Sequence, residues 1–152
     1  MRRRLSLVLF LLLAFAAGFI GSRFLPGAWY AQLVKPPFKP PNWIFTPVWT
    51  ALYAIMAVAA WRVWQRRGAD LAIRLWLVQL VLNAAWSWLF FGRHNLGGAL
   101  VEIVALLALV VATTVAFWRR DRLAGGLMLP YAAWVAFATV LNASLWYLNA
   151  GG

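Results

Sequence analysis

Charged residues in this chain gather into short clusters, and the stretches between them are almost wholly apolar. Charge-free runs cover Leu5–Ser22, Pro40–Trp61, Leu75–Gly92 and Leu123–Gly152, and a fifth, Asn95–Trp118, is broken only by Glu102. About 20 apolar residues carry a helix across a bilayer, and a helix satisfies its own backbone groups without water. The pattern predicts transmembrane helices at roughly 5–25, 43–65, 72–91, 96–118 and 123–148. The strict alternation of a transmembrane barrel is missing. The expected fold is therefore an all-α membrane protein, a single bundle of five transmembrane helices in one domain, 1–152. Residues 26–42 are left as a lid-like loop. Arg2–Arg4, the apolar run after them and Ala14-Phe15-Ala16 have the outline of a cleavable signal peptide. The apolar run continues through Phe19 and Ile20 to Leu25, so a retained span is expected.

The net charge of +11 raises the question of nucleic acid, and the distribution of charge answers it. Arg2, Arg3 and Arg4, then Arg62, Arg66, Arg67 and Arg74, then Arg119, Arg120 and Arg122 fall on one side of the predicted bundle. Arg23, Lys35, Lys39 and Arg93 fall on the other. The positive-inside bias then puts the N-terminus in the cytoplasm and the C-terminus outside. Contact with anionic membrane lipid accounts for the basic side, and no nucleic-acid partner is expected. The chain has no cysteine, which excludes disulfides, thiolate catalysis and thiolate metal sites.

Eleven tryptophans change the picture further. An aromatic belt at the headgroups would use a few of them. Several lie instead at mid-segment, near Asn83, Ser87 and Asn142, where an indole N–H can find a partner. Gln79, Asn83, Trp86, Ser87 and Phe90 share one face of the third helix. Trp134, Ala138, Leu141, Asn142 and Leu145 form a stripe on the fifth, where the small Ala138 leaves room beside Trp134. Trp49, Leu52, Tyr53 and Met56 form a wall on the second. Alternating helix directions bring all three walls to the outer half of the bundle, at one depth. Two readings of these stripes stand side by side. One is a cavity for a flat aromatic ligand. The other is inter-helix hydrogen bonding and close packing.

The segment Pro26–Pro47 after the first helix holds six of the seven prolines, with Trp29, Tyr30 and Trp43 as interfacial anchors. Proline fixes its own φ and keeps the preceding residue out of the α region, so 35–41 should be extended and stiff. The second helix is expected to start with Asn42 as its cap, or at Thr46 with Pro47 in first position. His94, in the short third connection, is read as a solvated loop residue rather than a haem ligand, so no metal site is expected. Glu102 is an ionisable group inside a span, and proton coupling is one use for it. Reaching the interface or pairing with Arg93 is the other. No carboxylate pair or other catalytic set is expected.

Trp29-Tyr30-x-x-Leu33-x-Lys35-Pro36, Pro40-Pro41, Phe45 and Trp49-x-x-Leu52-Tyr53 resemble the translocator protein family, whose bacterial members are called tryptophan-rich sensory proteins. Two further blocks agree. They are Gln79-Leu80-x-Leu82-Asn83-x-x-Trp86-Ser87-x-x-Phe90-Phe91-Gly92 and Leu129-Pro130-Tyr131-x-x-Trp134, continuing through Phe137-Ala138-Thr139-x-Leu141-Asn142 to Trp146-x-Leu148-Asn149. The resemblance implies a five-helix bundle, commonly dimeric, that binds a porphyrin of the protoporphyrin IX kind with no obligatory cofactor. It implies a role as sensor or carrier. The alternatives are light- and oxygen-dependent porphyrin breakdown, or proton-coupled small-molecule transport using Glu102. The expected ligand-binding set is Tyr30, Phe45, Trp49, Tyr53, Asn83, Trp86, Ser87, Phe90, Trp134, Ala138 and Asn142. The family's sterol motif near the end of the fifth helix lacks its tyrosine and arginine in Leu141–Tyr147. On the first helix, Ala14, Gly18 and Ser22 form a stripe of small residues. Such a stripe suits either packing within the bundle or a homodimer seam, and the resemblance favours the homodimer.

Overall fold

The computed structural model describes residues 2–22, 32–37, 45–68 and 70–149. Helix α1 spans Arg2–Ser22, α2 Phe45–Arg67, α3 Leu71–Ser87, α4 Leu96–Arg120 and α5 Arg122–Asn149. A π-helical turn, Trp88–Gly92, prolongs α3. There is no strand among the described residues. The boundaries follow the hydropathy pattern to within a few residues. The opening of α2 at Phe45 puts Pro47 in its first turn, where a missing N–H costs nothing. Asn42 lies outside the described residues.

Among the described residues, three stretches are long and apolar enough to cross a membrane by themselves: Leu71–Phe90, Leu96–Arg120 and Arg122–Asn149, with mean hydropathies of 1.3, 2.5 and 1.6. The apolar part of α1 is Arg4–Ile20. The whole helix, 21 residues from Arg2 to Ser22, rises about 32 Å, near the thickness of a hydrocarbon core. Each helix packs chiefly on two others, α1 on α2 and α3, α5 on α2 and α4, which gives a ring in the order α1–α2–α5–α4–α3. The faces left outside are hydrocarbon: Leu5, Leu9, Leu12 and Phe19 on α1, Val101, Val104 and Val111 on α4. In lipid this exposure is what a stable span requires.

Helix starts are fastened locally. Asp70 accepts from the N–H of Ala72 at 3.0 Å and Asn95 from that of Gly98 at 2.8 Å. Asp121 accepts from the N–H of Leu123 at 3.1 Å. Both aspartates also clamp the arginine-rich end of the bundle. Arg62 Nε donates to Asp121 at 2.8 Å and Arg120 Nε to Asp70 at 2.6 Å, while Arg66 lies 3.7 Å from Asp121. Burial alone would raise both carboxyls. The hydrogen bond and charge of Arg62 on Asp121, and of Arg120 on Asp70, outweigh it and hold both below the usual carboxylate range. Inside the spans, Thr113, Thr114 and Thr139 bond their hydroxyls back to the carbonyls four residues earlier.

Two residues of the small-residue stripe on α1 pack within the chain. Ala14 is fully buried in the core. A Cβ on Gly18 would lie 2.7 Å from Cε2 of Tyr53, so Gly18 is where α1 closes onto α2 of its own chain. Of the two uses expected of the stripe, packing within the bundle accounts for these contacts of Ala14 and Gly18. The phenol ring of Tyr53 needs that space. The side chain of Ser22 lies outside the described set.

Candidate functional site

The three predicted walls meet on the inner faces of α2, α3 and α5. On α2, Trp49 and Tyr53 are one turn apart and stack, with ring centroids 5.6 Å apart and planes at 27°. Trp134 of α5 stands edge-on to Trp49 at 6.0 Å and 90°. Tyr131, a turn below it, meets Trp49 at 6.4 Å and 68°. Trp134 also lies 5.7 Å from Phe137. These separations are those of favourable aromatic pairs. Ala138 is buried one turn beyond Trp134, in the same core cluster as Tyr53 and Tyr131.

A chain of hydrogen bonds forms the floor. Tyr53 Oη donates to Asn83 Oδ1 at 2.5 Å. Asn83 Nδ2 donates to Tyr131 Oη at 2.9 Å. Tyr131 Oη donates to Gln79 Oε1 at 2.7 Å, and Gln79 Nε2 faces Met56 Sδ at 3.7 Å. The chain passes from α2 to α3 to α5, back to α3 and back to α2. Each phenol serves its one donor, as a polar group in a dry interior must.

Trp86 belongs to a second tier, nearer the end opposite the arginines. Its Nε1 donates to Asn142 Oδ1 at 2.9 Å, and Asn142 Nδ2 donates to the carbonyl of Leu96 at 3.0 Å. Trp86 packs on Phe90 at 5.0 Å. The π-helical turn carries Phe90, Arg93 closing it through a 2.8 Å bond to the carbonyl of Trp88. Such wide turns recur at functional sites because they re-aim side chains. Here Phe90 points into a cluster with Ala99, Leu141 and Leu145, against which Leu33 packs.

Of the expected set, Trp49, Tyr53, Asn83, Trp134 and Ala138 therefore converge, and Trp86, Phe90 and Asn142 form the adjoining tier. The hydrogen bonds of Asn83, Trp86 and Asn142 are made between helices, which is the bundle-fastening alternative. Ser87 is half-buried at the end of α3. Tyr30 lies outside the described residues, as does most of the lid-like loop, and of Phe45 only the backbone is described. Gln79 and Tyr131 are missing from the expected set. Tyr131 sits one turn before Trp134, so extending the α5 stripe by a turn would have found it.

Glu102 does not pair with Arg93. The Arg93 guanidinium lies over the ring of Trp88, 5.7 Å from its centroid. Both carboxyl oxygens of Glu102 are buried without a hydrogen-bond partner. His94 is exposed, with a φ of 54°. No group of three His, Asp or Glu side chains among the described residues is arranged to hold a metal ion. Beside the aromatic tiers, Val34–Pro37 and Ala143, Ser144, Tyr147 and Leu148 of α5 enclose a crevice of about 480 Å³, with Lys35 on its wall.

Residues 9–148 match the family model described as TspO/MBR family. The chain is 43% identical over 139 residues to Protein CrtK of Rhodobacter capsulatus, covering 89% of this chain and 87% of that one. It is 42% identical over 141 residues to the human Translocator protein, covering 88% and 83%. It is 41% identical over 152 residues to the Tryptophan-rich protein TspO of Chlorobaculum tepidum, covering 95% and 96%.

Proposed function

The chain belongs to the TspO/MBR family and is an integral membrane protein, and from that premise we propose that it binds a porphyrin between α2, α3 and α5 and acts as a tryptophan-rich sensor or carrier. One observation carries the reading. Trp49 is held between the face of Tyr53 and the edge of Trp134, over a hydrogen-bonded floor. The rings touch, so a flat ligand enters by parting Trp49 from Trp134 and exchanges ring–ring contact for ring–porphyrin contact. Ala138, having no side chain beyond Cβ, is the place on α5 where the macrocycle edge fits. The floor's hydrogen bonds are already used, so recognition rests on shape and stacking rather than on ligation. Lys35, at the rim, is positioned to meet a ligand carboxylate. The arginine-rich end faces the cytoplasm by the positive-inside bias, which opens the site towards the outer leaflet.

Titration of the purified protein with protoporphyrin IX, followed by tryptophan quenching, tests the reading. Ala138→Phe fills the seat and abolishes saturable quenching. Trp49→Leu removes a stacking face and weakens binding by about 1 kcal/mol. Parent-like binding by both variants refutes the site.

The unpartnered carboxyl of Glu102 favours a second reading, proton-coupled transport. Counterflow in proteoliposomes decides it: Glu102→Gln abolishes coupled flux on this reading, and unchanged flux removes it.

A further inference from the structure

We propose that Asn149, the last residue of α5, is a positioning residue that pins the first connection at Val34 and thereby slows exchange of ligand from the aromatic tiers beside it. Asn149 Oδ1 accepts from the N–H of Val34 at 3.0 Å, and Asn149 Nδ2 donates to the carbonyl of Val34 at 3.0 Å. One side-chain amide thus engages both backbone groups of one residue, 115 positions away in sequence, as a neighbouring strand would. The second N–H of the amide donates to the carbonyl of Leu145 at 2.7 Å. That bond to its own helix fixes the rotamer, so the amide is preset for Val34.

The local sequence makes Val34 the place to hold. Pro36 and Pro37 have no N–H to give. Lys35 precedes a proline and is biased to extended backbone. Its Nζ donates to the carbonyl of Leu33 at 3.1 Å. Leu33 packs into the cluster of Phe90, Leu141 and Leu145, which also holds Trp86. An apolar anchor and a two-point polar bracket therefore sit on adjacent residues. The Val34 side chain itself is exposed, so the bracket acts on the backbone and not through side-chain burial.

A single net hydrogen bond changes an opening equilibrium about fivefold, so the pair changes it about 25-fold. Hydrogen exchange of ligand-free protein in nanodiscs, resolved at the Val34 amide, measures opening directly. Exchange rises about 25-fold in Asn149→Leu. It rises about fivefold in Asn149→Asp, which still accepts from Val34 but cannot donate to it. Val34→Pro deletes the same N–H with Asn149 intact, and loosening is then read at the Lys35 amide. It remains informative where the helix end does not tolerate leucine. Unchanged exchange in Asn149→Leu and Val34→Pro overturns the proposal.

The second arm rests on the porphyrin reading. Protoporphyrin IX dissociation speeds in the order parent, Asn149→Asp, Asn149→Leu, with little change in association. Faster amide exchange without faster dissociation overturns the claimed role in ligand exchange. If the parent does not bind protoporphyrin IX, the porphyrin reading fails, and the exchange arm alone decides whether Asn149 pins the segment.

Discussion

Asn83 is the central link of the floor, and replacing it tests whether the floor acts as a unit. Asn83→Leu is close in volume and removes two hydrogen bonds, one from Tyr53 and one to Tyr131. Tyr131 keeps its acceptor, Gln79. Among the described residues Tyr53 Oη has no second acceptor, and Tyr53 is 7% exposed, so its hydroxyl is stranded. Stranding a buried hydroxyl costs about 1–3 kcal/mol. Side-chain hydrogen bonds between membrane helices average about 0.6 kcal/mol, with an upper value of about 1.7, because the unfolded reference also finds partners. The expected cost of Asn83→Leu is therefore about 2–3 kcal/mol. Tyr53→Phe removes one bond and strands only a carbonyl lone pair, at about 1 kcal/mol. In the double variant no hydroxyl is stranded at position 53, so its cost falls short of the sum by about 1 kcal/mol. Reversible unfolding in mixed micelles, followed by circular dichroism, measures all four corners of the cycle. Costs that add to within about 0.3 kcal/mol would show that Tyr53 and Asn83 do not act together, and the account of the floor would be wrong.

Gly18→Ala puts a methyl 2.7 Å from the Tyr53 ring, which the Asn83 bond keeps from turning away, so stability falls by about 1–3 kcal/mol while particle size in detergent stays the same. A change of oligomer size with unchanged stability would place Gly18 at a seam between chains. Gly125→Ala meets Cα of Trp118 at 2.6 Å, which is backbone and cannot step aside. It should be the more damaging of the two in the same unfolding assay, and equal stability to the parent would refute the close α4–α5 approach. Asp121 has a folded pKa below its unfolded value, so its contribution is present above about pH 4 and is lost as pH falls through the folded pKa. Asp121→Asn costs about 1–3 kcal/mol at pH 7 by leaving the half-buried Arg62 unpaired, and the deficit narrows below about pH 4. A deficit that is constant with pH would refute the ion-pair account.

The five helices are legible because hydropathy in a membrane protein reports directly on the solvent of each segment. Charge runs such as Arg62–Arg67 mark ends, and nothing between them competes. The walls are legible for the same reason. Asn83, Trp86 and Asn142 are polar where lipid would punish polarity, so they have to face inward. What they face is not legible. Spacing puts Asn83 on an inner face but cannot say whether its amide meets a ligand or Tyr53 and Tyr131. That choice depends on the rotation of α2 and α5, which is set by packing at places such as Gly18 and Gly125. A glycine in a helix reads the same whether its space is filled by another chain or by the ring of Tyr53. The bracket at Val34 is invisible for a different reason. It joins a side chain to a backbone across 115 positions, and no periodicity encodes such a pairing.

Helix α5 is the element that joins these levels. Tyr131 of the floor, Ala138 at the proposed seat, Asn142 beneath Trp86 and Asn149 at Val34 follow at steps of seven, four and seven residues. Those steps return to one face of an α-helix. Trp86 packs against both hydrophobic clusters, one around Tyr53 and Tyr131 and the other holding Leu33. Parting Trp49 from Trp134 presses on α5 above its floor contact, and the far end of that same face holds the lid bracket. A ligand that displaced α5 by a fraction of an ångström would act on two hydrogen bonds of 3.0 Å, which have little slack. On the reading proposed here, occupancy of the site and fastening of the first connection are therefore coupled, and the coupling is reciprocal. Opening of the bracket must then lower protoporphyrin affinity by the same factor by which bound protoporphyrin slows Val34 exchange in the parent, and Asn149→Leu reaches that loss only as its bracket becomes mostly open. Val34 exchange unchanged by bound protoporphyrin would mean that ligand and bracket are neighbours without being linked.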